Sequence, residues 1–308
     1  MLVVRSSRPS IRRVAWVLAA LSTSVLAACS DDSSSDDAAA STTVVETTVA
    51  EAPVTEAPTT AAPTTTVTPE PLRILVTNDD GIGADGIAAI VEGLSTIDNV
   101  EITVVAPATN QSGTGGKVTD GPLTVTDAKT AKGFAGKAVE GFPADSIVWA
   151  IDQGGIDFVP DLVVSGINFG QNYSLEIIPV SGTVGAARAA VLRNIPAIAI
   201  SQGTVGERAD FASGVEAGLA WIRANVDALL AREPGDPVTE LVNINIPTCA
   251  EGTSIRGTVE VPTGSLNNTD YAKQDCASTV QPTTDVEGFQ NGYVVVSRMD
   301  VNAAPFTS

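Results

Sequence analysis

No histidine occurs among the 308 residues of this chain. Its absence removes the commonest metal ligand and the commonest general base. Any metal bound here must be held by oxygen, and carboxylate, hydroxyl, amide and water ligands suit hard divalent ions such as Mg²⁺ or Mn²⁺ rather than zinc. Basic residues are scarce as well, with 17 Lys and Arg against 36 Asp and Glu. A surface without a basic stripe cannot neutralise a run of phosphates, which argues against long nucleic acid or anionic membrane as a partner. Three cysteines make no zinc motif.

The N-terminus has its own texture. Arg5, Arg8, Arg12 and Arg13 form a basic segment ahead of an apolar run over residues 14–26. The run is too short to cross a bilayer and has the form of a signal peptide. It ends in Leu26-Ala27-Ala28-Cys29, which resembles the bacterial lipobox. Residues 1–28 are therefore expected to be a lipoprotein signal, with Cys29 acylated and the chain lipid-anchored to the outer face of a bacterial membrane. The alternative is an ordinary secretory signal with a chance cysteine. The Arg12-Arg13 pair hints at twin-arginine export, but its flanks match that pattern poorly.

Residues 29–71 are Ser, Thr, Ala, Pro, Val and acid, with the short repeat EAPVT, EAPTT, AAPTT. Such a segment cannot bury a core and reads as a tether. The folded unit then covers residues 72–308, with 13 basic residues against 28 acidic ones, a formal charge of −15. Cys249 and Cys276 are left for this unit. Outside the cytoplasm they suit a disulfide, and two free thiols are the alternative.

Apolar strand-like runs lie at 72–77, 101–106, 162–165 and 197–201, and helical patterns at 86–94, 144–151, 183–192 and 210–231. Continuous β-branched runs alternating with helices predict a Rossmann-like, doubly wound α/β domain with a mostly parallel sheet. From about residue 240 the texture changes to β-rich segments, LVNINIP, SIRGTVEVP and GYVVVSR. These either extend the sheet or project as an arm.

In such sheets ligands bind beyond the carboxyl ends of the strands. Those ends carry Asn78, Asp79 and Asp80, then Asn110, Gln111 and Ser112, then Asn168 and Asn172. Ser181, Gly182 and Thr183 open a helix. The stretch NDDGIGADG also spells G-x-G-x-x-G through Gly81, Gly83 and Gly86, as in a dinucleotide-binding turn. Asp79 and Asp80 would repel a pyrophosphate there, and the second strand ends Val105-Ala106-Pro107 without the acid that binds a ribose. A divalent cation instead lets the two carboxylates coexist. Trp149 and Trp221 lie on apolar helical faces and read as core, and Asp145 as a helix cap.

Five motifs occur in order: ILVTNDDGI, VVAPATNQSG, FPAD, PDLVVSGINFGQN and SGTVGAARAA. Together they resemble the SurE family of 5′/3′-nucleotidases, metal-dependent phosphatases of nucleoside monophosphates. The resemblance implies one divalent ion on Asp79, Asp80, Ser112 and Asn168, and a homodimer or homotetramer built through a C-terminal β arm. It departs at Ser146, where the family has cysteine, and at Gly83, where histidine is common. Asp79, Asp80 and Asn78 are the expected catalytic residues, with Asn172, Ser181, Gly182 and Thr183 binding phosphate. The rival readings are a tethered protein that captures nucleotide or metal without turnover, and an NAD-dependent enzyme.

Overall fold

The computed structural model describes residues 70–267 and 269–306. The expected signal, most of the expected tether and Cys29 lie outside them. Chain order is β1 (Leu72–Thr77), α1 (Asp85–Leu94), β2 (Val100–Pro107), β3 (Val125–Lys129), β4 (Ala135–Val139), α2 (Pro143–Ile147), β5 (Leu162–Phe169) and α3 (Gly182–Val191). There follow β6 (Ala197–Gln202), β7 (Thr204–Val205), β8 (Arg208–Ala209), α4 (Phe211–Leu230), β9 (Glu240–Ile246), β10 (Thr258–Glu260), α5 (Asp285–Gln290) and β11 (Val294–Asp300).

Nine strands form one sheet in the order β10-β11-β9-β6-β5-β1-β2-β4-β3, and β7 pairs only with β8. The central pairings β2·β1, β1·β5, β5·β6 and β6·β9 are all parallel. The doubly wound expectation therefore holds, and the four strands read from sequence are those of the sheet centre. Burial on both faces explains their near-continuous apolar runs. Along β1, Leu72, Ile74 and Val76 join one core with Ile87, Ile90 and Leu94 of α1 and Leu219 and Ile222 of α4. Leu75 points the other way, into a core with Ala144 and Ile147 of α2 and Val184 and Ala187 of α3. Trp221 and Trp149 pack at the margins of these two cores.

The helix expected over 144–151 is α-helical only through Ile147 and continues as a π-helical turn over Val148–Asp152. Asp145 caps it as expected, accepting the Phe142 N–H at 2.8 Å. It also accepts the Thr119 N–H and hydroxyl at 2.8 and 2.7 Å.

The C-terminal strands extend the sheet. After its first residue, β9 is buried throughout, and it lies parallel to β6. A strand buried on both faces, here with Asn243 and Asn245 on one of them, belongs inside the sheet. Among these C-terminal strands the β9·β11 pairing is antiparallel, while β10 lies parallel to β11. A third apolar cluster, Tyr173, Val286, Phe289, Tyr293 and Val295, packs this region against the loop after β5. Cys249 and Cys276 form a disulfide with Cα atoms 5.7 Å apart.

Candidate active site

Strand β1 is flanked by β2 on one side and β5 on the other, so the strand order reverses there. This switch point opens a crevice at the carboxyl ends of β1 and β5. The turn leaving β1 is built by Asn78, which is fully buried. Its amide donates to the Gly81 carbonyl at 2.9 Å and accepts the Gly81 N–H at 3.2 Å. Gly81 has φ +99°, a conformation that costs a side-chain-bearing residue dearly. Asn78, expected among the catalytic residues, has both ends of its amide committed to shaping this turn. The same turn hands Asp79 and Asp80 to the crevice.

Asp79 is only 3% exposed. The Thr183 hydroxyl donates to its Oδ1 at 2.7 Å. A Cβ placed on Gly182 would lie 2.7 Å from the Asp79 Cβ and 2.9 Å from its Oδ2, so the start of α3 touches the carboxylate directly. Burial raises the Asp79 pKa above its ordinary value, against the pull of the Thr183 hydroxyl and the N–H groups of Thr183 and Gly182. Asp80 is pushed up to about 6, chiefly by burial and further by the charge of Asp79. The opposing donors are the Phe169 N–H on Oδ2 at 2.9 Å and the Asn110 amide on Oδ1 at 3.2 Å. Two neighbouring carboxylates, one buried and one half-buried, each resisting its own charge, form a strong local demand for a cation.

The other expected ligands come from two strand ends. In β5 the register shifts between Ser165 and Asn168, an irregularity of the kind that re-aims side chains beside active sites. Asn168 donates its amide N–H to the Gly170 carbonyl at 2.7 Å. Its Oδ1 accepts no hydrogen bond among the described residues, and an amide oxygen is the atom a hard cation takes. After β2, the Gln111 N–H donates to the Asp79 carbonyl at 2.7 Å and the Ser112 N–H to Asn110 Oδ1 at 2.9 Å. These bonds fasten the Ser112 loop to the β1 turn, and the Ser112 hydroxyl makes no hydrogen bond among the described residues. Among the described residues, no group of three or more His, Cys, Asp and Glu is placed to hold a metal. The donor set fits a hard divalent ion only as two carboxylates completed by neutral oxygens from Asn168 and Ser112.

The residues expected to bind phosphate are mostly turned toward each other. Ser181 caps α3, its Oγ accepting the Val184 N–H at 3.2 Å. Thr183 is bound to Asp79. Asn172 donates its amide to Ser201 Oγ at 2.9 Å and to Thr183 Oγ1 at 3.4 Å. Its N–H donates to Asn245 Oδ1 at 2.6 Å, and its carbonyl accepts from Asn243 and Asn245 at 2.7 and 3.2 Å. A buried polar chain thus runs from β9 through Asn172 and Thr183 to Asp79. Asn243, Asn245, Ser201 and the Phe169 N–H were not among the expected site residues, and Asn110 was named only as a strand-end residue. The spacing of Asn243 and Asn245, two amides at i and i+2 within an apolar strand, is the signal that could have found them, since buried amides require partners.

A family model described as Survival protein SurE matches residues 74–269. A protein of Dehalococcoides mccartyi named 5′-nucleotidase SurE is 35% identical over 238 residues, spanning 74% of this chain and 88% of that protein. Its namesake in Methanocella arvoryzae is 38% identical over 183 residues, 58% of this chain and 68% of the relative. The crystal structure of the SurE protein from Aquifex aeolicus superposes with a TM-score of 0.59 at 26% identity, covering 76% of this chain and 95% of that one. All five motifs lie within the matched segment, and the carboxylate pair sits where a doubly wound sheet binds ligands. The chain belongs to the SurE family.

Proposed function

We propose that this protein is a phosphomonoester hydrolase that removes phosphate from nucleoside monophosphates, a 5′/3′-nucleotidase working with one divalent ion, Mg²⁺ or Mn²⁺. The observation that carries the reading is the Asp79–Asp80 pair at the switch point, with the neighbouring strand β5 reaching Asp80 through the Phe169 N–H next to Asn168. The printed names of the Dehalococcoides and Methanocella relatives support the substrate class.

Asp79, Asp80, Asn168 and Ser112 would hold the ion, which would supply positive charge to a phosphate oxygen and lower the pKa of a water. The chain's own residues do the rest. Thr183 and the first N–H groups of α3 fix Asp79 in place and stabilise its ionised form. The Phe169 N–H and the Asn110 amide do the same for Asp80. With no histidine in the chain, the carboxylates of Asp79 and Asp80 are the acceptors at hand for the proton of the attacking water.

The same reading places the enzyme outside the cytoplasm, anchored through acyl chains on Cys29, so that its substrates are extracytoplasmic nucleotides. Residues 1–71 support this, and the Cys249–Cys276 disulfide suits an oxidising compartment. A homodimeric or homotetrameric assembly rests on the family resemblance.

Phosphate release from nucleoside 5′-monophosphates, measured with Mg²⁺ or Mn²⁺ and again in chelator, tests the reading. Asp79→Asn should lower turnover by more than roughly a hundredfold, beyond the 10–100-fold typical of residues behind the ligands. Circular dichroism should show it folded. Near-normal activity in that variant would overturn the assignment, and nucleotide binding without phosphate release would make the protein a capture module.

A further inference from the structure

A cavity of about 580 Å³ opens directly beside Asp80. The starts of α1 and α4 line it, and no residue of α3 or of the polar chain through Thr183 and Asn172 does. Its size falls within the roughly 300–1,000 Å³ of small-molecule sites. Phe169 and Phe211 line it together with Asp85, Glu207 and Arg208.

The aromatic pair is the informative part. Phe169 is 46% exposed at the end of a strand whose other seven residues are buried. Its ring centroid lies 6.4 Å from that of Phe211 with the planes inclined by 56°, so the two rings do not cover each other in a parallel stack. An aromatic ring left open in a cavity is a platform for a flat partner, and every nucleobase has a face to stack on it. The main-chain N–H of Phe169 is bonded to Asp80 Oδ2. Platform and candidate metal site are therefore held at a fixed spacing by one residue.

The charged residues at the rim agree with an uncharged, hydroxyl-bearing ligand. Besides Asp80, two carboxylates, Asp85 and Glu207, stand against one guanidinium, and Arg208 donates to the Cys249 carbonyl at 3.0 Å without forming an ion pair among the described residues. An excess of acceptors suits sugar hydroxyls and base N–H groups and disfavours a second phosphate.

We propose that this cavity is the nucleoside subsite. The base stacks on Phe169 against the edge of Phe211, and the acidic rim of Asp85 and Glu207 accepts hydrogen bonds from the sugar and base. The inference rests on the nucleotidase reading for the phosphate but names residues outside the carboxylate centre. It makes the enzyme select nucleotides over small phosphate esters by contacts with the leaving group.

The test has two arms. In the first, adenosine binding to the full-length chain is measured calorimetrically in chelator, for the wild type, Phe169→Ala and Phe169→Trp. Removing the ring should weaken binding by roughly tenfold or more, the size of a lost base stack, and Trp should restore it. In the second, kcat/KM is compared for adenosine 5′-monophosphate and glycerol 2-phosphate within each variant. The nucleotide-to-glycerol-phosphate ratio should fall by about tenfold in Phe169→Ala and recover in Phe169→Trp.

Absence of adenosine binding to the wild type, equal affinity in Phe169→Ala, or a ratio that does not move would overturn the subsite. Adenosine binding that depends on Phe169 in a protein hydrolysing neither ester would uphold the subsite and reject the phosphatase reading. The two failures are thus separable.

Discussion

The Thr183 hydroxyl donates to Asp79 Oδ1 at 2.7 Å, joining two residues 104 positions apart in sequence inside a buried site. The hydrogen bond favours the ionised carboxylate where burial opposes it. Thr183→Val keeps the shape and removes the donor. Mn²⁺ affinity measured by calorimetry should fall by about 10–100-fold, as it does when outer-shell partners of metal ligands are lost. Thr183→Ser, which keeps the hydroxyl, should stay close to the wild type. Equal affinity in the valine variant would show that Asp79 needs no such support.

Gly182 makes a steric prediction at the same carboxylate. A single added methyl would sit 2.7 Å from the Asp79 Cβ, 2.9 Å from its Oδ2 and 2.9 Å from Pro143 Cγ. None of these neighbours is the free end of a flexible chain, so α3 or the β1 turn must shift. Gly182→Ala should cost about 1–3 kcal/mol in urea unfolding, the usual penalty for overpacking. Activity should drop more than stability suggests, because the group displaced is Asp79 itself. A variant with wild-type kcat/KM would contradict the close packing.

The pH dependence follows from Asp80. Its folded pKa, about 6, lies above the ordinary 3.8, so between these values the folded chain holds a proton that the unfolded chain has lost. The metal-free protein should therefore lose stability as pH rises from about 4 to 6. Asp79, shifted in the same direction, adds to this trend. A bound cation favours the ionised pair, so the rise in Tm produced by Mn²⁺ should grow over the same interval, and Mn²⁺ affinity should weaken by up to roughly tenfold per pH unit below 6. Melting curves with Mn²⁺ and with chelator at pH 4–8 read both effects. A Mn²⁺-induced shift independent of pH would refute the proton competition.

The Cys249–Cys276 bridge spans 27 positions and holds together segments that already share hydrogen bonds. Gln274 accepts the Thr248 N–H at 2.7 Å and donates to the Thr204 carbonyl at 2.8 Å. A loop of this length contributes on the order of 3 kcal/mol by restricting the unfolded chain. Cys249→Ser with Cys276→Ser should lower stability by about that amount. The carboxylate centre lies on other strands, and Mn²⁺ affinity below the melting transition should change by less than roughly threefold. Unchanged stability after removal would mean the native contacts hold the segment alone.

What could be read from sequence was what local pattern encodes. The run Leu72–Thr77 is apolar and bounded by Asn78, Asp79 and Asp80, so its strand and its end were both legible. Asn168 was legible through the motif around it. The sheet edge was not: β3 and β4 read VTDAK and AGKAV, mixing charge and small residues on partly exposed strands, without an apolar signature. Nor could the orientation of Asn172 be read. Its side chain faces Thr183 and Ser201, and its backbone is held from β9 at separations of 71 and 73 residues. Long-range pairing of buried amides leaves no periodicity behind, and that is why a residue expected to hold phosphate proves to be a link toward Asp79.

The clamp on Asn172 separates two asparagines that look alike on β9. The Asn172 N–H has Asn245 Oδ1 as its hydrogen-bond acceptor, whereas the Asn172 carbonyl has two donors, Asn243 and Asn245. Asn245→Leu therefore strands a buried N–H, at a cost of about 1–3 kcal/mol. Asn243→Leu leaves the carbonyl with one donor and also removes an amide oxygen that is itself buried without a partner among the described residues. The order of destabilisation in urea should be Asn245→Leu greater than Asn243→Leu, although both replace an amide by an apolar group of similar size. Only the first should also weaken Mn²⁺ binding, since it frees the segment whose side chain meets Thr183, which in turn holds Asp79. Equal or reversed stabilities would mean that β9 carries Asn172 by packing alone, and the hydrogen-bonded chain to the carboxylate would lose its first link.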